Sequence, residues 1–199
     1  MQDKILVVHP DDRSTDFLRT IYSNLPNYTL VTGGVTQTEL RDMIKSHSRV
    51  MMMGHGTPVG LMAVGAFLPD PNTPKIYSRV LDNFYYPSPS HIIDASMVEA
   101  LNEKDNNIFI WCNADQFVNK HQLKGFYTGM FISEYSEARF CGVETIKGEV
   151  EFNNNLFAKL VCEVVDKNAA DIYQYIKTNF SIPRSQVIKY NWDRMYVNL

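Results

Sequence analysis

Two residues of this chain, His55 and Cys112, are of the types that together perform nucleophilic catalysis. A cysteine thiol becomes a strong nucleophile when a nearby histidine shares or removes its proton. His55 lies between two glycines directly after the apolar run Arg49 to Met53, and Cys112 directly follows the apolar run Asn107 to Trp111. The chemistry that such a pair performs is amide hydrolysis through a thioester.

The elements around these residues determine whether they can meet. Apolar runs at Lys4 to Val8, Asn27 to Thr32 and Arg49 to Met53 alternate with helical patterns, and this alternation predicts an α/β fold. We expect a three-layer sandwich with a mostly parallel central sheet. Ligands and catalytic groups gather at the carboxyl ends of the strands in such sheets. His55 and Cys112 are therefore expected at one edge of the sheet, within reach of each other.

The length of the chain favours a single domain. Its 199 residues fall in the usual range, so we expect one domain over residues 1–199. The core is expected at about 4–143, with helices and a strand in 150–199. Gly125 to Ile132 is predicted to be a fifth strand, and Val187 to Val197 a final strand or strand pair.

Composition excludes several classes of protein. With 45% hydrophobic residues and a net charge of −3, the chain is neither disordered nor basic enough to predict a nucleic-acid or membrane partner. It has no apolar run of the ~18 residues that a transmembrane helix needs. The apolar run Ile5 to Val8 is too short for a secretory signal, which predicts a cytoplasmic protein. Three cysteines without a CxxC pair predict neither a disulfide framework nor a thiolate zinc site.

The order of motifs in this chain also points to a known family. An apolar strand ends in Gly54-His55-Gly56, Gly60-Leu61 predicts a hairpin, a helix follows, and strand Ile108 to Trp111 ends at Cys112. Over about residues 4–143 this order resembles the caspase-like cysteine peptidases. That group includes caspases, metacaspases, clostripain, gingipain, legumain, separase and bacterial CHAT domains.

The resemblance implies a role for each of these residues. Cys112 would be the nucleophile and His55 the general base or acid, and the N–H groups of Gly56 and Cys112 would form the oxyanion hole. The substrate would be a peptide or protein, with no metal or other cofactor. We expect Cys112 to have thiolate character near neutral pH. Asp115 and Glu134 are predicted to line the pocket for the residue before the scissile bond and to favour a basic side chain there.

Two alternatives remain open. His9-Pro10-Asp11-Asp12 resembles the signature of zinc-dependent deacetylases that act on N-acetylglucosamine conjugates, in which His9 and Asp12 would bind zinc and Asp11 would be the base. The same stretch also fits a polar helix start capped by an aspartate. A third zinc ligand would have to come from His47, His55, His91 or His121. The second alternative is a catalytically inactive caspase-like or flavodoxin-like module that binds a partner.

Overall fold

The structure is a computed structural model, and it describes residues 4–71, 76–78, 83–85, 89–181 and 185–199. The strands in chain order are β1 Ile5–Val8, β2 Tyr28–Val31, β3 Arg49–Met53, β4 Gly56–Thr57, β5 Gly60–Met62, β6 Ile76–Ser78, β7 Asn83–Tyr85, β8 His91–Ile93, β9 Asn107–Ile110, β10 Gly125–Thr128 and β11 Met195–Asn198. The α-helices are α1 Arg19–Tyr22, α2 Gln37–Ser46, α3 Val98–Asn102, α4 Ala114–His121, α5 Tyr135–Phe140, α6 Lys147–Val164, α7 Ala169–Asn179 and α8 Gln186–Trp192. Turns of 3-10 helix at Arg13–Leu18 and Ala95–Met97 lead into α1 and α3.

A six-stranded sheet forms the centre of the fold, in the order β11-β10-β9-β3-β1-β2. The five strands from β2 to β10 in this order run parallel, and β11 runs antiparallel to β10. The predicted α/β fold with a mostly parallel sheet is confirmed. The expectation that the fifth strand lies beside the strand leading to Cys112 is also confirmed, because β10 pairs with β9.

Helices cover both faces of this sheet, which explains why β3 and β9 are apolar at every position but their first. Alternate residues of a strand face opposite sides of a sheet. Met51 and Met53 pack with α1, α6 and α7, whereas Val50 and Met52 pack with α2, α3 and α4. The helices and the sheet thus form three layers, as the sequence predicts.

The C-terminal segment differs from its prediction. Val187 to Val197 was expected to be extended, but it begins as helix α8 and only its end belongs to β11. The Ser185 hydroxyl caps the helix by accepting from the Ile188 N–H. Val187, Ile188 and Asn191 are buried, and this spacing places them on one side of a helix. An apolar run this short does not distinguish a strand from a buried helix.

The strand β10 is shorter than predicted, because it ends at Thr128 rather than at Ile132. The Gly129 N–H still donates to the Arg194 carbonyl oxygen at 2.8 Å, and beyond it the chain leaves the sheet. The segment 129–134 is therefore a loop that runs from the edge of the sheet to α5.

A small antiparallel sheet, β4-β5-β8, directly follows β3. The hairpin that the sequence places at Val59 to Phe67 forms earlier, with Gly56 opposite Leu61.

Within the described ranges no helix combines the length and apolar character needed to cross a membrane.

Candidate active site

The strands β3 and β9 bring His55 and Cys112 to the same edge of the sheet. The two strands are parallel neighbours with Met53 opposite Ile110, and the Gly54 N–H donates to the Ile110 carbonyl oxygen at 3.0 Å. Both His55 and Cys112 line one cavity at this edge, as the sequence predicts. Its volume is about 20 Å³, which is room for about one water molecule.

A tight turn sets the position of Cys112. The Ala114 N–H donates to the Trp111 carbonyl oxygen at 3.2 Å, so the chain reverses between the end of β9 and the start of α4. Asn113 occupies the left-handed region at φ 66°, which asparagine adopts more readily than most residues. The Cys112 side chain is thereby placed at the cavity rather than along α4.

The Cys112 thiol is a hydrogen-bond donor in this structure. Its Sγ lies 3.3 Å from the Phe131 carbonyl oxygen and 3.5 Å from Glu137 Oε1. Burial, followed by the neighbouring Glu137 carboxylate, raises the pKa of Cys112 to about 12. The expectation of thiolate character at neutral pH is therefore wrong for this conformation, because both effects favour the protonated thiol.

The loop that carries Phe131 is held by asparagine side chains from α6 and α8. Asn191 Oδ1 accepts from the Ile132 N–H at 2.7 Å, and Asn191 Nδ2 donates to the Ile132 carbonyl oxygen at 2.9 Å. Asn154 Nδ2 donates to the Ser133 carbonyl oxygen at 2.8 Å. Sequence reasoning missed these residues. They can be recognised as amide side chains at buried positions of α6 and α8, but only after both helices have been assigned.

His55 is held from the opposite side by the loop after β1. His55 Nε2 lies 2.6 Å from Ser14 Oγ, and Ser14 Oγ donates to Asp12 Oδ1 at 2.7 Å. Asp12 accepts two hydrogen bonds from Ser14, one from its hydroxyl and one from its N–H, and both lower the pKa of Asp12. Among the described residues, no hydrogen bond joins the imidazole of His55 to the Cys112 thiol. Ser14 was not singled out from the sequence, although its position after β1 places it at the same edge.

The predicted pocket acids, Asp115 and Glu134, do not line the cavity. Asp115 lies beside Gly129, and burial raises its pKa. The Glu134 side chain caps α5 in a capping box with Glu137. The carboxylate that contacts Cys112 is that of Glu137, one turn after Glu134. The Glu134 N–H donates to Glu137 Oε2, and this hydrogen bond holds the Glu137 side chain across the loop beside Cys112.

The predicted oxyanion residue Gly56 is absent from the cavity lining and has a packing role. A Cβ atom at this position would lie 2.0 Å from Trp111 Cδ1, so only glycine fits against the indole. Trp111 Nε1 also donates to the Thr57 carbonyl oxygen at 3.3 Å. An oxyanion hole formed by the N–H groups of Gly56 and Cys112 stays a prediction.

The zinc alternative does not fit the structure. His9 is buried, and both its ring nitrogens are occupied: Nδ1 lies 3.0 Å from the Tyr22 hydroxyl and Nε2 lies 3.0 Å from Thr15 Oγ1. Asp11 turns outward to Arg19 at 2.8 Å, and Asp12 caps the following 3-10 turn. Among the described residues, no three His, Cys, Asp or Glu side chains are grouped to hold a metal ion.

The remaining histidines lie apart from this site. His47 contacts Thr29, His91 contacts Thr57, and His121 packs against Phe117. None of them completes a ligand set with His9.

Comparisons with protein-family models, with curated proteins and with solved structures find no match to this chain. The inference of function therefore depends on the geometry of the site and on the motif order of the sequence.

Proposed function

We propose that this protein is a caspase-like cysteine peptidase, with Cys112 as the nucleophile and His55 as the general base and acid. The observation that carries the proposal is the shared cavity: both side chains line it, at the carboxyl ends of neighbouring parallel strands. A thiol and an imidazole beside one space can act on one substrate carbonyl group.

The reaction proceeds in two halves. His55 accepts the proton of the Cys112 thiol as the sulfur attacks the carbonyl carbon of the peptide bond. The tetrahedral intermediate collapses to a thioester, and the amine leaves with the proton that His55 returns. Water then attacks the thioester while His55 accepts its proton. The carboxylic acid departs, and the proton returns to the Cys112 sulfur.

The described conformation is best explained as a resting state of this enzyme. The thiol proton is directed to the Phe131 carbonyl oxygen and to Glu137 instead of the imidazole. The cavity holds about one water molecule, so a peptide must bind over it rather than inside it. Binding would displace the loop at Phe131 and release the thiol toward His55.

A preference for a basic residue before the scissile bond receives little support from the site. Among the described residues, the only carboxylate within hydrogen-bond distance of the Cys112 thiol is that of Glu137. Its Oε2 already accepts from the N–H groups of Ser133 and Glu134, so it does not demand a cationic partner. The preference stays a prediction.

A second function, a non-catalytic interaction module, is favoured by one observation. The Cys112 thiol donates to the Phe131 carbonyl oxygen and to Glu137 and not to His55, and burial raises its pKa to about 12, so the ready nucleophile that a resting peptidase often holds is absent. In such a module Cys112 would be a packing residue at the edge of the sheet.

Cleavage of a peptide mixture separates these functions. Wild-type protein, Cys112→Ala, His55→Ala and the control Cys162→Ala are incubated with a chymotryptic digest of denatured proteins, whose peptides keep internal Lys and Arg, and new termini are read by mass spectrometry. Cys162 is a half-buried thiol on α6 that contacts Asn24. We expect cleavage by wild type and Cys162→Ala, and a loss of at least ~1000-fold in the other two variants.

The opposite results are equally informative. Folded wild-type protein that cleaves nothing favours the interaction module, and cleavage that survives Cys112→Ala rejects the assigned nucleophile. The cut sites also test the basic preference directly.

A further inference from the structure

The loop after β1 places a carboxylate and a hydroxyl in line with the imidazole of His55. Ser14 Oγ lies 2.7 Å from Asp12 Oδ1 and 2.6 Å from His55 Nε2, and Asp12 Oδ2 lies 3.9 Å from the same nitrogen. The Asp12 and His55 side chains are 28% and 27% exposed, so water only partly screens these contacts. From the sequence, neither Asp12 nor Ser14 was expected to contact His55.

The direction of the hydrogen bonds follows from the number of protons. The Asp12 carboxylate also accepts from the Ser14 N–H at 2.9 Å, and it is ionised at neutral pH because its pKa is lowered. An ionised carboxylate has no proton to give, so the single hydroxyl proton of Ser14 goes to Asp12. The remaining contact of Ser14 Oγ must then accept a proton, and the donor is His55 Nε2–H.

We propose that Asp12 and Ser14 are positioning residues that hold His55 as the Nε2–H tautomer and leave Nδ1 as its basic nitrogen. This inference rests on the proposed function where it assigns Nδ1 the task of taking the Cys112 proton. When His55 becomes protonated, the negative charge of Asp12 at 3.9 Å stabilises the imidazolium. In a neutral imidazole one nitrogen donates and the other accepts, so fixing one nitrogen fixes both.

The ionisable groups around His55 come from three elements. Asp12 lies on the loop after β1, Cys112 lies at the end of β9, and Glu137 lies behind Cys112 on α5. The buried His9 lies behind Asp12 and is uncharged at neutral pH, because burial lowers its pKa to about 4. Of these groups, Asp12 is the one in ion-pair distance of the imidazole.

The first test reads the tautomer of His55 by the ¹⁵N chemical shifts of its ring in ¹⁵N-labelled protein at pH 8. We expect Nε2 protonated and Nδ1 unprotonated in wild type. Ser14→Ala should lose this preference and give a mixture of tautomers. Ser96→Ala is the matched control, because Ser96 makes the same cap with Asp94 but does not contact His55.

The second test removes the charge but keeps the cap. In Asp12→Asn the amide oxygen still accepts from Ser14, so the Nε2–H tautomer should remain. The ring ¹⁵N shifts of Asp12→Asn at pH 8 should therefore match those of wild type.

Activity provides a separate measurement on the peptide substrate found above. We expect Ser14→Ala to lower kcat about 10- to 100-fold with KM little changed. Ser14→Thr, which keeps the hydroxyl, should recover most of kcat.

A wild-type His55 with its proton on Nδ1, or a tautomer unchanged in Ser14→Ala, would overturn the inference whatever the activity. The expected ring shifts in a protein that cleaves no peptide would support the positioning of His55 and reject the peptidase proposal. The two failures are therefore distinguishable.

Discussion

The reactivity of Cys112 can be predicted from the contacts of its thiol. Glu137 Oε1 lies 3.5 Å from Cys112 Sγ, and its charge disfavours a second negative charge there. Glu137→Gln removes the charge but keeps an amide oxygen for the Ser133 and Glu134 N–H groups. We therefore expect the pKa of Cys112 to fall and its reaction with iodoacetamide to become faster, while the fold is retained.

The size of the effect follows from two steps. A pKa of about 12, against an ordinary thiol near 9.0, reduces the thiolate fraction at neutral pH ~1000-fold. Thiolate nucleophilicity increases with pKa with a Brønsted slope of ~0.4–0.5, so native Cys112 should react roughly 30- to 60-fold more slowly than in the unfolded chain. A charge at this distance contributes at least ~1.2 kcal/mol, or about one pKa unit, so Glu137→Gln should react at least ~3-fold faster than wild type.

The assay is a time course of iodoacetamide labelling at pH 7.5, with peptide mapping of each cysteine in native and denatured protein. Glu149→Gln serves as the matched control, because Glu149 accepts from Ser185 and Thr145 without contacting Cys112. Native Cys112 that is labelled as fast as in the unfolded chain would refute the reasoning. That result would support the thiolate character that the sequence predicts for Cys112.

Three further predictions concern stability in urea unfolding. Burial and the charge of Arg19 lower the pKa of His9 to about 4, so the unfolded state binds more protons than the folded state between about pH 4 and 6.5. The free energy of unfolding should therefore fall by up to roughly 3 kcal/mol as the pH decreases through that window. His9→Gln should lose this part of the pH dependence. Gly56→Ala should cost about 1–3 kcal/mol because its Cβ overlaps the neighbouring indole at 2.0 Å, whereas Gly148→Ala, with open space around it, should change stability by less than ~1 kcal/mol. Asn191→Ala should cost roughly 2–4 kcal/mol because it leaves the buried Ile132 N–H without an acceptor and the Ile132 carbonyl oxygen with only the longer contact to Asn153 Nδ2. The exposed Asn155→Ala should cost less than ~0.5 kcal/mol, and equal costs would show that the buried amide network is not stabilising.

The central sheet could be predicted because its signals are local and strong. The runs at β3 and β9 are apolar after their first residue, as is typical of strands covered on both faces, and the helical pattern between successive strands implies parallel crossovers. Placement of His55 and Cys112 at one edge follows from that topology alone. The Thr36 and Glu39 spacing at the start of α2 is a signal of the same local kind, because both partners of this capping box lie within one turn.

The surroundings of the thiol could not be predicted in the same way. They depend on which side chains reach the loop after β10 from α6 and α8, and these contacts span up to 59 residues of sequence. The segment Val187 to Val197 was read with the wrong period, so Asn191 was placed on a strand instead of a helix. Without that helix, neither the loop position nor the acceptors of the thiol proton could be inferred.

The two proposed catalytic residues, His55 and Cys112, are held by contacts of different range along the sequence, and this difference determines which one can move. His55 is held by Ser14 and Asp12, which are two residues apart and belong to one helix cap, so the contacts of the imidazole are local to that turn. The thiol of Cys112 depends on the Phe131 carbonyl oxygen, whose loop is held by side chains from two separate helices. A substrate that pairs with this loop would turn the acceptor away without disturbing the imidazole. Activation should therefore begin at the loop after β10 and leave His55 in place.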